Sequence, residues 1–162
     1  MGSRTALWQR ILTASSMENS PAVKIFIDTW GWLALRDRRE DRHEEIKGLC
    51  LDLRGRGYSF YTSDYVLDET FTLLFRRLRF EEARKSLDVM DMAIEECYLR
   101  LERITAERFE KAKSLRMRFQ DKPRISFTDF TSMVVMAELG IPDILTEDEH
   151  FTQVSMGFQK VP

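Results

Sequence analysis

The chain has little of what several common chemistries require. Its 162 residues include two cysteines, Cys50 and Cys97, and two histidines, His43 and His150. Neither pair forms a metal-ligand spacing, so a structural zinc site is excluded. The cysteines read as buried apolar residues of a cytoplasmic protein rather than as a disulfide. No G-x-x-x-x-G-K-[ST] loop, G-x-G-x-x-G fingerprint or G-x-S-x-G elbow occurs. No apolar run is long enough to span a membrane. The net charge of −2 argues against a bulk electrostatic hold on nucleic acid, while leaving room for a local basic groove beside an acidic centre. There are no internal repeats and no low-complexity segments.

What remains is an ordinary globular composition of a size that suits one domain with a real core. Residues 1–20 carry two arginines and a single acid, Glu18. They read as a leader or tag-like segment, with Ala6, Leu7, Ile11 and Leu12 spaced for one short amphipathic helix. Residues 21–162 read as a single domain.

Strand and helix patterns alternate through that domain. "VKIFI" (23–27) has hardly a polar break, the mark of a strand buried on both faces. It stops on Asp28, and Thr29 with the turn-capable Gly31 suggests a turn there. A charged stretch leads to a helix from about residue 43 to 54. "YSFYTS" (58–63) is a second strand. Asp64 is placed to cap a helix through "YVLDETFTLLFRRL", and another helix runs from about 80 to 94. "CYLRLERI" alternates as a half-exposed strand, and Thr105 caps the helix after it. Pro123 breaks the chain before "SFTDFTSMVVMAELG", a helix whose Ser126 and Asp129 have capping-box spacing. "DILT" is a short strand, "EDEHF" a loop and "FQKV" a last edge strand. The order predicts an α/β fold, a parallel twisted sheet covered by helices on both faces. Ligands bind such sheets outside the carboxyl ends of the strands, where Asp28 lies.

Three further acids stand in telling places. Glu69 lies within an otherwise apolar helix, Asp129 opens another, and Asp148 follows the "DILT" strand. Carboxylates gathered at one sheet end repel one another unless a cation joins them. Mg²⁺ suits such a group, since it prefers oxygen ligands and works with a few carboxylates and substrate phosphates. Each acid also has a structural reading. Asp28 could cap a turn, Glu69 could pair with Arg76 or Arg77, and Asp129 could serve the helix dipole. Asp68 rivals Glu69 but points about 100° away around the helix. The lone histidines read as structural. Phe151 and Phe158 read as core. Trp30 and Trp32 read as core or partner contacts that could stack a base. The basic runs Arg36–Arg42 and Arg116–Arg124 are solvated faces or phosphate contacts, with Arg124 the foremost RNA-contact candidate.

In order along the chain, "IFIDTWGWLAL", "YTSDYVLDETFTLL", "ISFTDFTSMVVM" and "ILTEDEHFTQVSMGF" resemble the PIN-domain ribonucleases, in particular the VapC-type toxins of prokaryotic toxin–antitoxin pairs. The resemblance runs from about residue 23 to the end. It implies a five-stranded parallel sheet in a three-layer α/β/α arrangement, so that 21–162 form one PIN-like nuclease domain. It assigns Asp28, Glu69, Asp129 and Asp148 as the catalytic, metal-binding carboxylates, with Thr146 supporting them. It also implies Mg²⁺- or Mn²⁺-dependent cleavage of RNA leaving a 5′-phosphate and a 3′-hydroxyl. Its partner expectations are a cognate antitoxin and a homodimer, with no membrane. The arginine-bearing "FTLLFRRLRFEEARKSLDVM" helices are a candidate surface for either partner. The alternative is a catalytically idle PIN-like scaffold that binds RNA or a partner. A phosphatase with Asp28 as nucleophile is disfavoured, because Trp30 occupies the second position of the D-x-D pair it would need.

Overall fold

A computed structural model describes residues 22–162 of the chain. Strand β1 (Lys24–Ile27) lies at the middle of a five-stranded sheet. Its residues Ile25, Phe26 and Ile27 are all but inaccessible. Successive strand side chains point to opposite faces, so both faces of β1 are covered. That is why the run is apolar without alternation.

The chain order is β1, α1 (Thr29–Arg36), α2 (His43–Gly55), β2 (Ser59–Ser63), α3 (Asp64–Arg77), α4 (Phe80–Glu95), β3 (Leu99–Glu102), α5 (Ala106–Arg118), α6 (Phe127–Leu139), β4 (Asp143–Leu145), α7 (His150–Gln153) and β5 (Gln159–Val161). The sheet order is β3-β2-β1-β4-β5, and every pair is parallel. This is the α/β/α architecture expected. The chain builds outward from β1 through β2 to β3, then returns to the other side of β1 with β4. The direction of winding therefore reverses between β1 and β4, which opens a crevice beyond their carboxyl ends. Among the described residues no helix is long and apolar enough to cross a membrane. The leader-like segment lies outside the described residues.

Local structure departs from the sequence expectations at four places. Thr29–Arg36 is a helix, not a turn. It buries Gly31, Trp32, Leu33, Ala34 and Leu35, so it shows no polar face and no amphipathic period. Gly31 serves close packing: an added Cβ would lie 2.9 Å from the Leu145 carbonyl oxygen and 3.0 Å from the Ile27 side chain. Gly31→Ala is expected to destabilise the protein by about 1–3 kcal/mol through overpacking, read as a lower midpoint in urea denaturation. An unchanged midpoint would mean that α1 can shift away from β4 without cost.

The second departure is at α3. Ser63, not Asp64, is the N-cap, its hydroxyl accepting from the Val66 amide. Ser63 is still in extended backbone, as an N-cap is, whereas Asp64 is already helical. Asp64 instead accepts from the Tyr65 and Ile104 amides, both at 3.0 Å, which ties α3 to the exit of β3. Third, the predicted loop "EDEHF" contains the one-turn helix α7. Fourth, only Cys50 is buried; Cys97 is exposed in the left-handed turn that leaves α4, and both thiols are free.

Candidate active site

Ile27 pairs with Leu145 across β1 and β4. The next residues, Asp28 and Thr146, therefore leave the sheet side by side in the crevice. Thr146 is fully buried. Its hydroxyl donates to Asp28 Oδ2 at 3.0 Å and accepts from the Asp148 amide at 3.1 Å. One hydroxyl thus uses both its donor and its acceptor capacity to fix two of the predicted acids relative to each other.

Glu69 arrives from α3, which packs against α1. Thr29, the residue after Asp28, donates its hydroxyl to Glu69 Oε2 at 2.7 Å. Glu69 is exposed, yet its charge still acts on Asp28. The alternative pairing with Arg77 does not form, since that guanidinium holds Glu40. No described hydrogen bond or ion pair joins the Asp68 carboxylate to this cluster.

Asp129 enters at the start of α6 through the capping box. Ser126 accepts from the Asp129 amide at 3.0 Å, and Asp129 Oδ2 accepts from the Ser126 amide at 3.1 Å. The cap fixes the carboxylate's position and sets its charge at the positive end of the helix dipole. The fourth acid, Asp148, is half-buried after β4. Its Oδ1 accepts from the His150 amide at 2.9 Å.

His150 is the residue that sequence reasoning set aside. Its Nδ1 lies 3.0 Å from Asp129 Oδ2 and 2.9 Å from Asp148 Oδ2. A lone histidine in a presumed loop carries no periodic signal. The usable clue was its place two residues after Asp148 in "LTEDEHF", where a turn closed on that aspartate swings the imidazole back over it.

The electrostatics are those of an uncompensated acidic centre. Asp28 is only 7 % exposed. Burial, and then the Asp129 and Glu69 charges, push its pKa up from 3.8 to about 7, against the opposing hydrogen bonds from the Thr29 amide and Thr146 hydroxyl. Burial also raises Asp129, while His150 and Ser126 hold it down. None of the described ion pairs brings an arginine or lysine to Asp28, Glu69, Asp129 or Asp148. A buried carboxylate left partly protonated near neutral pH, beside three other acids, has the donor set and the charge deficit that a hard divalent cation satisfies. The oxygen donors alone suit such an ion.

The surrounding cations divide by role. Arg116 is a clamp: its guanidinium donates to the Phe119, Lys122 and Ile125 carbonyls and lies over the Phe130 ring. Arg39 forks onto Asp37, and Arg42 pairs with Glu45 and lies 5.4 Å from the centre of the Trp30 ring. Arg124 is exposed two residues before the α6 cap, with no hydrogen bond or ion pair among the described residues. Trp32 is core, its indole donating to Thr62, and Phe151 and Phe158 are buried against each other.

Comparison with known proteins gives four findings. The PIN domain family model matches residues 25–156. The 23S rRNA-specific endonuclease VapC20 of Mycobacterium tuberculosis is 33% identical over 137 residues, covering 85% of this chain and 97% of that protein. The crystal structure of VapC20, described as a Sarcin-Ricin loop cleaving toxin, matches with a TM-score of 0.72 over 85% of this chain and 98% of that one. VapBC2 from Rickettsia felis, solved bound to a DNA fragment from its promoter, matches at 14% identity and a TM-score of 0.64, over 86% of this chain and 98% of that one. That last likeness is one of fold.

Proposed function

The chain belongs to the PIN-domain family, in its VapC-type branch, and from that premise we propose that it is a divalent-metal-dependent endoribonuclease, the toxin of a toxin–antitoxin pair. The observation that carries this is the convergence of four carboxylates on one crevice with no arginine or lysine paired to them among the described residues. Asp28, Glu69, Asp129 and Asp148 would hold Mg²⁺ or Mn²⁺. When bound, such an ion activates water and stabilises the charge of in-line phosphodiester displacement.

The protein's own groups do the positioning. Thr146 keeps Asp28 and Asp148 at a fixed separation, and Thr29 steers Glu69 toward them. The Ser126 cap prevents the Asp129 carboxylate from rotating away. Asp28, which burial and its acidic neighbours keep protonated up to about pH 7, would bind a cation as the carboxylate. Arg124, exposed and unpaired among the described residues, receives a phosphate of the RNA backbone.

The substrate is a single-stranded or looped RNA. Identity to VapC20 over most of both chains makes a large-subunit rRNA loop the first candidate. The VapC-type likeness supports a cognate antitoxin as partner and a cytoplasmic homodimer as the working form.

The test is incubation of the purified chain with total RNA in Mg²⁺, in Mn²⁺ and in EDTA. Discrete fragments with 5′-phosphate ends are expected in either metal, and none in EDTA. Cleavage that persists in EDTA would overturn the metal reading. Tight metal binding without cleavage of total RNA or of isolated ribosomes would leave an idle binding scaffold.

A further inference from the structure

We propose that His150 supplies a nitrogen ligand, through Nδ1, to the cation held by Asp129 and Asp148, and so biases the site toward Mn²⁺ over Mg²⁺. The inference rests on the metal-dependent reading above and adds an unassigned ligand to it.

Three donor atoms converge there. Nδ1 of His150 and one oxygen each of Asp129 and Asp148 lie within 4.8 Å of one another. The nitrogen is 3.0 Å from the first oxygen and 2.9 Å from the second. In an octahedral shell with bonds of about 2.1 Å, neighbouring ligands stand about 3.0 Å apart. The imidazole is thus already at the spacing of a ligand adjacent to each carboxylate.

The two carboxylates that meet the ring are held by the main chain. The His150 amide is bound to Asp148 Oδ1, which leaves the same residue's Oδ2 facing the ring. The Thr146 hydroxyl anchors the Asp148 amide in turn. The Asp129 oxygen that meets the ring, Oδ2, also accepts from the Ser126 amide in the α6 cap. Main-chain hydrogen bonds therefore set both carboxylates, and the ring nitrogen lies between them. With the ring proton on Nε2, Nδ1 offers its lone pair to a cation between the two carboxylates. Mg²⁺ discriminates against nitrogen donors in favour of oxygen and water, whereas transition ions accept imidazole readily. A fixed imidazole in the shell favours Mn²⁺.

The test is spin-echo paramagnetic resonance on the full chain, stripped of metal and titrated with Mn²⁺, with Mg²⁺ affinity read by competition. Expected are ¹⁴N modulation from a directly bound imidazole in wild type and its loss in His150→Gln. The variant should bind Mn²⁺ about tenfold more weakly and Mg²⁺ within about twofold of wild type. Gln retains hydrogen-bonding capacity toward both carboxylates, and the wild-type signal decides without any variant. Bound Mn²⁺ with no ¹⁴N modulation would overturn the ligand assignment and leave the carboxylate site standing. So would modulation that survives in His150→Gln. A wild-type protein that binds no Mn²⁺ would overturn this inference and the metal-dependent reading together.

Discussion

Asp28→Asn is expected to be inert toward RNA and, stripped of divalent cations, more stable than wild type by about 2–4 kcal/mol at pH 8. The physical reason is the cost of an ionised carboxylate that is 7 % exposed and faces Asp129 and Glu69. The unfolded chain releases this proton near 3.8, whereas the folded chain keeps it up to about 7. Between those values the native state binds more protons than the unfolded state, so wild-type stability falls as pH rises. Above about 7 the penalty is complete. Asparagine has the same shape, still accepts from Thr146 and never ionises. The two proteins should therefore match at pH 3.5 and diverge through the window to pH 8. Urea denaturation at pH 3.5, 6 and 8 measures this directly. Saturating Mn²⁺ should reverse the order, because a cation stabilises the native state in proportion to its affinity there and the variant lacks a ligand. Equal stabilities at pH 8, or a variant that cleaves RNA at the wild-type rate, would remove Asp28 from the site.

Asp129→Asn should reduce single-turnover cleavage on the order of a thousandfold while leaving the fold intact. This carboxylate has two tasks that chemistry separates. As the third residue of the capping box it accepts from the Ser126 amide, which an amide oxygen also does. As a metal ligand it must carry charge, which an amide does not. Ser126→Ala makes the complementary change. It removes the hydroxyl that accepts from the Asp129 amide, at a cost of about 1 kcal/mol, but retains the charge, so cleavage should stay within a few-fold of wild type. Thermal denaturation and cleavage rates on the two variants give a crossed pattern. If Asp129→Asn lost stability and kept activity, Asp129 would be a cap alone.

Legibility in the sequence followed the range of the interaction. "VKIFI" announced a doubly buried strand because burial on both faces removes polar residues from every position. The Ser126–Asp129 box was readable because both partners lie within one helical turn. Helix geometry sets Glu69 and Asp68 about 100° apart, the family resemblance selects Glu69, and the structure joins Glu69, through Thr29, to the Asp28 neighbourhood. Helix α1 was not readable, since a helix covered on nearly every side has no period, and its glycine resembled turn punctuation. Arg116 and Arg124 look alike in a run of basic residues. Only the carbonyls presented by Phe119, Lys122 and Ile125 make the first a clamp, while the second stays exposed.

The residue pattern by itself determined the alternation of strand and helix, hence a parallel sheet with its sites at the strands' carboxyl ends. It also determined that acids end two of the segments there. Tertiary structure alone decided which side chains meet. The reversal of strand order between β1 and β4 puts Thr146 against Asp28, 118 positions apart in the chain. The turn after β4 folds His150 back onto Asp129, 21 positions away. Gly31 beneath Leu145 is likewise a matter of how closely α1 approaches β4. Helix and strand periods and caps act over a few residues, so they can be read along the chain. Desolvation and the mutual repulsion of carboxylates act through space, so the raised Asp28 exists only once packing has excluded water and gathered its neighbours.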